Sequence, residues 1–83
     1  MHTAGGFTGL LRAFRLALTV EGLRPSTIEH YVRDAQGFVA FVGDRSPRSI
    51  TPADIREYFA SYQDGRSPKT VREAQLALRR FFR

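Results

Sequence analysis

The amino-acid sequence predicts an all-α fold, a compact bundle of four helices. Three observations predict it. Apolar residues recur at intervals of three and four along the chain, and no stretch alternates for long as a strand would. Clusters of turn-forming residues cut that pattern into four segments: one at Gly22, one at Gly43-Asp44-Arg45-Ser46-Pro47, one at Gln63-Asp64-Gly65. The length, 83 residues, supports one domain and one core, because so short a chain buries only roughly 60% of the surface its unfolded form exposes.

The chain opens on Met1-His2-Thr3-Ala4-Gly5-Gly6, which lacks the apolar run of a signal peptide. Residues 1–8 read as a flexible tail and residues 9–83 as the domain. The first helix is expected from about Thr8 to Gly22, with Phe7, Leu11, Phe14 and Leu18 on one face. The second is expected from Pro25 to Val42, with Ile28, Tyr31, Val32, Ala35, Phe38, Val39 and Val42 as its stripe. Its start has two readings. Either Arg24 is the cap, a poor one, or Ser26 and Glu29 form a capping box.

The third helix has the clearest start. Thr51 is the cap, Pro52 the first helical residue, and Asp54 stands at the capping-box position. Ile50 and Ile55 have the spacing of a hydrophobic staple. Ile55, Tyr58, Phe59 and Tyr62 form its apolar face, with Phe59 central. Gly65 is a left-handed stop. The fourth helix starts with Ser67 as cap and Pro68 as first residue. Its expected stripe is Val71, Ala74, Leu78, Phe81 and Phe82, with Leu78 central. It carries no stop signal before Arg83, which reads as a piece of a longer protein.

Charge is the second layer of information. The net charge of +5 is unevenly spread. Up to Gly65 the seven Arg balance seven Asp and Glu. From Arg66 onward, Arg66, Lys69, Arg72, Arg79, Arg80 and Arg83 face only Glu73. A localised basic field attracts phosphate backbones or anionic lipid. Of the 13 basic residues all but Lys69 are Arg, whose planar donor fork suits phosphate and guanine.

Several classes are excluded or disfavoured. No apolar run approaches the roughly 20 residues of a membrane span, so no membrane partner is expected. There is no Cys, hence no disulfide and no thiolate-bound metal; a reducing, cytoplasmic setting is expected. Two His without Cys make a poor zinc site, so no metal or cofactor is expected. No nucleophile–base pair is visible, and no catalytic residue is expected. Asp54 and Glu57, three apart, read as a solvated face. Tyr31, Tyr58 and Tyr62 lie on apolar stripes and read as core.

The basic residues have a geometry. At about 100° per residue, Lys69, Arg72, Arg79, Arg80 and Arg83 fall on one arc of the fourth helix, opposite its apolar stripe, with Leu76 among them. Ser67 and Thr70 put hydroxyls at that helix start, where unpaired backbone N–H groups favour anions. The second helix offers a weaker version: Ser26, His30, Arg33, Gly37 and Ala40 lie opposite its stripe. Gly37 is either a tolerated helix defect or a point of close backbone approach. A matched pattern ties the two helices together. Gly22-Leu23-Arg24-Pro25-Ser26-Thr27-Ile28 recurs as Gly65-Arg66-Ser67-Pro68-Lys69-Thr70-Val71. Each copy opens a helix, so two helix starts can be aimed at one partner, expected to be duplex DNA.

Together, Gly22 to Asp34, Ile50 to Tyr58 and Gly65 to Phe82 resemble the core-binding domain of tyrosine recombinases, the phage-integrase family. The resemblance covers about Gly9 to Arg83. It implies a SAM-like helical bundle that, with a separate catalytic domain, clamps duplex DNA. It implies that the second and fourth helices face the major groove. Carried over by position, it implicates Ser26, Thr27, His30, Arg33, Lys69, Thr70, Arg72 and Arg79 in DNA binding. It implies other recombinase protomers as partners on DNA, a monomeric fragment, and a prokaryotic or phage-encoded cytoplasmic protein. The family's catalytic Arg, His and Tyr belong to the other domain. Gln75-Leu76 departs from the family pattern and puts the register of the fourth helix in question. The rival reading is a helical protein-interaction domain contacting its partner through Leu16, Phe41 or Leu76.

Overall fold

The computed structural model describes residues 6–43 and 45–82. Residues 1–5 of the expected tail (residues 1–8), Asp44 in the second turn and Arg83 on the basic arc lie outside the described residues; within that span Phe7 is buried and Thr8 opens α1. Four helices form: α1 (Thr8–Val20), α2 (Pro25–Val42), α3 (Pro52–Tyr62) and α4 (Pro68–Phe81). A single 3₁₀ turn (Pro47–Ser49) interrupts the α2–α3 connection. The all-α bundle is as the periodicity predicts.

Local chemistry explains each boundary. α1 stops at Val20, short of Gly22, in a Schellman closure: the Gly22 N–H bonds the Thr19 carbonyl and the Leu23 N–H bonds the Leu18 carbonyl. That closure requires a left-handed residue, and Gly22 has φ +84°. The open question at α2 resolves to Arg24 at the cap position and Pro25 as first residue, with no side-chain cap bond. The alternative Ser26–Glu29 box does not form; Glu29 pairs with Arg15 of α1 instead. The capping box of α3 is complete. The Asp54 N–H bonds Thr51 Oγ1 at 3.3 Å, and the Thr51 N–H bonds Asp54 Oδ2 at 2.7 Å. Arg45 clasps the same carboxylate with two bonds, at 2.8 and 2.9 Å, and also bonds the Ser49 carbonyl. Those donors, Arg45 first and the Thr51 N–H next, hold the Asp54 carboxyl far below the usual range.

α2 is the centre of the bundle. It packs on α1, α3 and α4, most extensively on α4. Phe14, Leu18, Ile28, Val32, Ala35, Phe38, Tyr58 and Leu78 form the core. Phe38 is fully buried, with Tyr58 edge-on at 5.3 Å and Phe82 edge-on at 5.7 Å between ring centroids. The first two apolar faces fall where the sequence predicts them.

Two details of the other faces differ. The α3 face is centred on Tyr58, 8% exposed, while Phe59 is only partly buried. The buried residues of α4 are Ala74, Ala77 and Leu78, while Phe82 lies at the edge, 36% exposed. The reason is close packing. Ala74 and Ala77 present almost no side chain and are buried, which suits the extensive packing of α4 on α2. Gln75 and Leu76 both face outward, which settles the register of α4.

Gly37 has a packing role. A Cβ built there would lie 2.8 Å from the Tyr58 hydroxyl. That hydroxyl ends a ring packed against Phe38, Phe41, Phe59 and Tyr62, so it cannot easily withdraw. The close approach is therefore made by a side chain of α3. Gly37→Ala should destabilise the domain by about 1–3 kcal/mol from overpacking, offset by up to about 1 kcal/mol of gained helix propensity. In a Tyr58→Phe background the hydroxyl is gone, and the same change should become neutral or stabilising. Urea melts of the four proteins measure that reversal.

Candidate nucleic-acid interface

Pro68 preset at the first position and Ser67 as cap orient the start of α4. Ser67 Oγ accepts the Thr70 N–H at 3.2 Å and donates to Thr70 Oγ1 at 3.0 Å. The cap thus occupies one of the donors that the sequence assigns to an anion. Lys69 is exposed beside it and Thr70 is half-buried. At α2, Arg24 offers no cap side chain, so the Ser26 and Thr27 N–H groups point outward from an uncapped helix start. Ser26 is exposed and Thr27 partly buried.

His30 joins the two helices. Its Nε2 lies 3.4 Å from Glu73 Oε1 on α4 and 3.6 Å from Asp34 Oδ2 on its own helix. Its Nδ1 accepts a bond from an Arg33 Nη at 2.7 Å. The Asp34 side chain is 10% exposed, and its Oδ2 has no hydrogen-bond donor in range. Burial is the main force pushing the Asp34 carboxyl above its ordinary pKa. The fields of His30 and Arg33 oppose the rise, and Glu73 adds to it.

A groove runs beside this cluster. Arg33, Asp34 and Gly37 of α2 form one wall; Tyr58, Ser61 and Tyr62 of α3 and Arg66 of the α3–α4 turn form the other. Arg66 lies over the Tyr62 ring, 4.0 Å from its centroid, and bonds the Tyr62 carbonyl at 2.7 Å. An adjoining groove carries Arg66 and Arg72. Arg33, Arg66 and Arg72 therefore follow one another along connected surface, next to Lys69. Arg66 is the residue the sequence reading left off its site. The charge count contains it, but a turn residue belongs to no helix face, and only folding brings it between α2 and α4.

Two other cations separate from this group. Arg79 lies seven residues beyond Arg72, about 10 Å along the helix. It borders a different, apolar groove with Arg56, Ile55 and Phe59. Arg80 is a correction to the predicted basic arc. It pairs with Glu21, the residue that follows α1, and lies 5.6 Å from the Tyr31 ring centroid. It sits at the margin of the arc, near Ala77, where α4 meets its neighbours, and this position turns it inward.

Among the described residues no cluster of His, Asp and Glu has metal-ligand geometry. No described helix is long and apolar enough to cross a membrane. Comparison with known families finds a match to phage integrase, N-terminal SAM-like domain, over residues 10–83. No curated protein and no solved structure matches the chain.

Proposed function

The chain belongs to the family of phage-integrase N-terminal SAM-like domains, and from that membership we propose that it is the DNA-gripping module of a tyrosine recombinase. It is thus a recombinase-related module, and DNA integration and recombination follow from the family. The partner proposed is duplex DNA at a recombination site, with other recombinase protomers assembled on the same DNA. Catalytic residues would reside in the separate domain that the family's architecture implies.

One observation carries the reading: Arg33 of mid-α2 and Arg66 line one groove, Arg66 and Arg72 an adjoining one at the start of α4, and Lys69 is exposed on the chain between Arg66 and Arg72. A duplex carries one phosphate charge per roughly 1.7 Å of axis, and a run of Arg forks suits such a row. Ser26 and Thr27 would offer N–H and hydroxyl donors to a phosphate at the α2 start, and Thr70 a hydroxyl at the α4 start. His30 and Arg33 would lie toward the groove. Arg79 would touch the backbone farther along, from the outer face of α4. Phosphate contacts supply affinity without sequence information, so this domain alone should bind duplexes broadly, with Kd about 10⁻⁴–10⁻⁶ M.

Fluorescence anisotropy with unrelated duplexes at several salt concentrations tests this. Affinity should fall linearly on a log–log plot as salt rises. Binding that ignores salt, or no binding, would sink the phosphate-contact reading. The rival reading, a protein-interaction domain, has an observation of its own. Leu16 is 63% exposed, Phe41 44% and Leu76 44%. Failure of the salt titration would favour it.

A further inference from the structure

The cluster around His30 has a tautomer logic. A guanidinium has only donors. Its bond to His30 Nδ1, at 2.7 Å, therefore requires a lone pair on that nitrogen. In neutral His30 the proton must then sit on Nε2, the nitrogen facing Glu73 Oε1 and Asp34 Oδ2. Protonation of the ring puts a second N–H on Nδ1. Two donors, both on cations, would then face each other, and the Arg33 bond cannot persist. The new charge on the ring lies beside the two carboxylates that Nε2–H already faces, Glu73 Oε1 and Asp34 Oδ2.

We propose that His30 is a positioning residue for Arg33 and makes DNA binding proton-dependent: neutral His30 holds Arg33 through Nδ1, and protonated His30 releases it toward phosphate. The proposal rests on the DNA reading above and adds its regulation. The direction follows from the charges. Lower pH frees a guanidinium and adds a cation at the interface, so affinity rises as pH falls. Histidine is the side chain whose charge ordinarily changes between about pH 5 and 8.

The groups that face His30 all bear on the result. On α2 they are Arg33 and Asp34; on α4, Glu73. Tyr58 of α3 lines the groove with Arg33 and Asp34; its hydroxyl is pushed up chiefly by burial and then by Tyr62, with Arg66 opposing the rise and Asp34 adding to it. The switch therefore gives up the Arg33 contact at Nδ1 and places a charge on the ring whose Nε2 already faces both carboxylates.

Two measurements on the 83-residue chain test the proposal. The first needs no DNA. An NMR titration follows the His30 ring and the Arg33 guanidinium between pH 8 and 5. The two should move with one midpoint, and in His30→Gln the Arg33 signals should stay still. A glutamine amide can accept from Arg33 and donate to a carboxylate at every pH, which imitates the neutral ring.

The second measurement is binding to a fixed duplex at constant ionic strength across the same range. Wild type should tighten severalfold toward low pH, with its salt slope steeper by about one unit, the value of one added phosphate contact. His2→Gln should behave as wild type and His30→Gln should be flat. Arg33 signals that ignore the His30 titration would overturn the positioning role. A His30→Gln protein that keeps the wild-type pH response would overturn the regulation. Absence of DNA binding at every pH would instead overturn the function reading, and the NMR titration would then decide the His30–Arg33 coupling alone.

Discussion

Replacing Phe38 by Ala should bring the protein to the edge of unfolding. Phe38 is fully buried at the point where α2 meets Tyr58 of α3 and Phe82 beyond α4. Removing a buried Phe side chain costs about 3–5 kcal/mol, part in lost transfer energy and part in the cavity left behind. Small domains hold only about 5–15 kcal/mol in total, and one of this size belongs near the lower end. The cavity cannot collapse easily, because the neighbouring rings already pack on one another. Leu78→Ala, at 3% exposure, should cost about 2–5 kcal/mol for the same reasons. Leu76→Ala, on the outer face of α4, should stay within about 0.5 kcal/mol. Urea melts followed by circular dichroism rank the three. A Leu76 variant less stable than the Leu78 variant would reverse the assigned register of α4.

The second large effect concerns binding. The triple variant Arg33→Ala, Lys69→Ala, Arg72→Ala should fold normally and lose most of its affinity for duplex DNA. Its salt slope should fall by up to about three units, one per phosphate contact removed. A matched variant with Arg12, Arg48 and Arg56 replaced by Ala removes equal charge elsewhere. These three are exposed. Arg45 is unsuitable for that control despite its exposure, because it clasps Asp54 and with it the start of α3. If both triples weaken binding equally, net charge alone drives it and the surface around Arg33, Lys69 and Arg72 is not the site. Circular dichroism of each variant separates lost binding from lost structure.

How far the candidate site could be read in advance depended on whether each residue acts through its own helix or through a neighbour. The Thr51–Asp54 box was legible because both partners lie within one turn of chain. The same holds for Ser67 and Pro68 at the start of α4. The start of α2 was not, because Glu29 is drawn away by Arg15 of another helix. Arg80 looked like its basic neighbours on a helical wheel, yet Glu21 and Tyr31 hold it. Arg66 looked like part of a turn, yet it lines both the groove between α2 and α3 and the one at the start of α4. Gly37 reads on its own helix as either a tolerated defect or a close backbone approach, and the group that approaches is the Tyr58 hydroxyl.

The sequence by itself determined the helix count, the boundaries to within about two residues, the α1 and α2 core faces, the concentration of positive charge after Gly65 and the family. These follow from periodicity, capping and composition, which act over a few neighbouring residues. Only the tertiary structure decided that α4 is buried through Ala77 beside the expected Ala74 and Leu78, that α3 turns on Tyr58, and which cations stay at the surface. A wheel shows the direction of a side chain but not the distance of the element it meets. Small buried residues suit the packing of α4 on α2, and that packing brings His30 within reach of Glu73 while Arg80 turns inward to Glu21 and Tyr31.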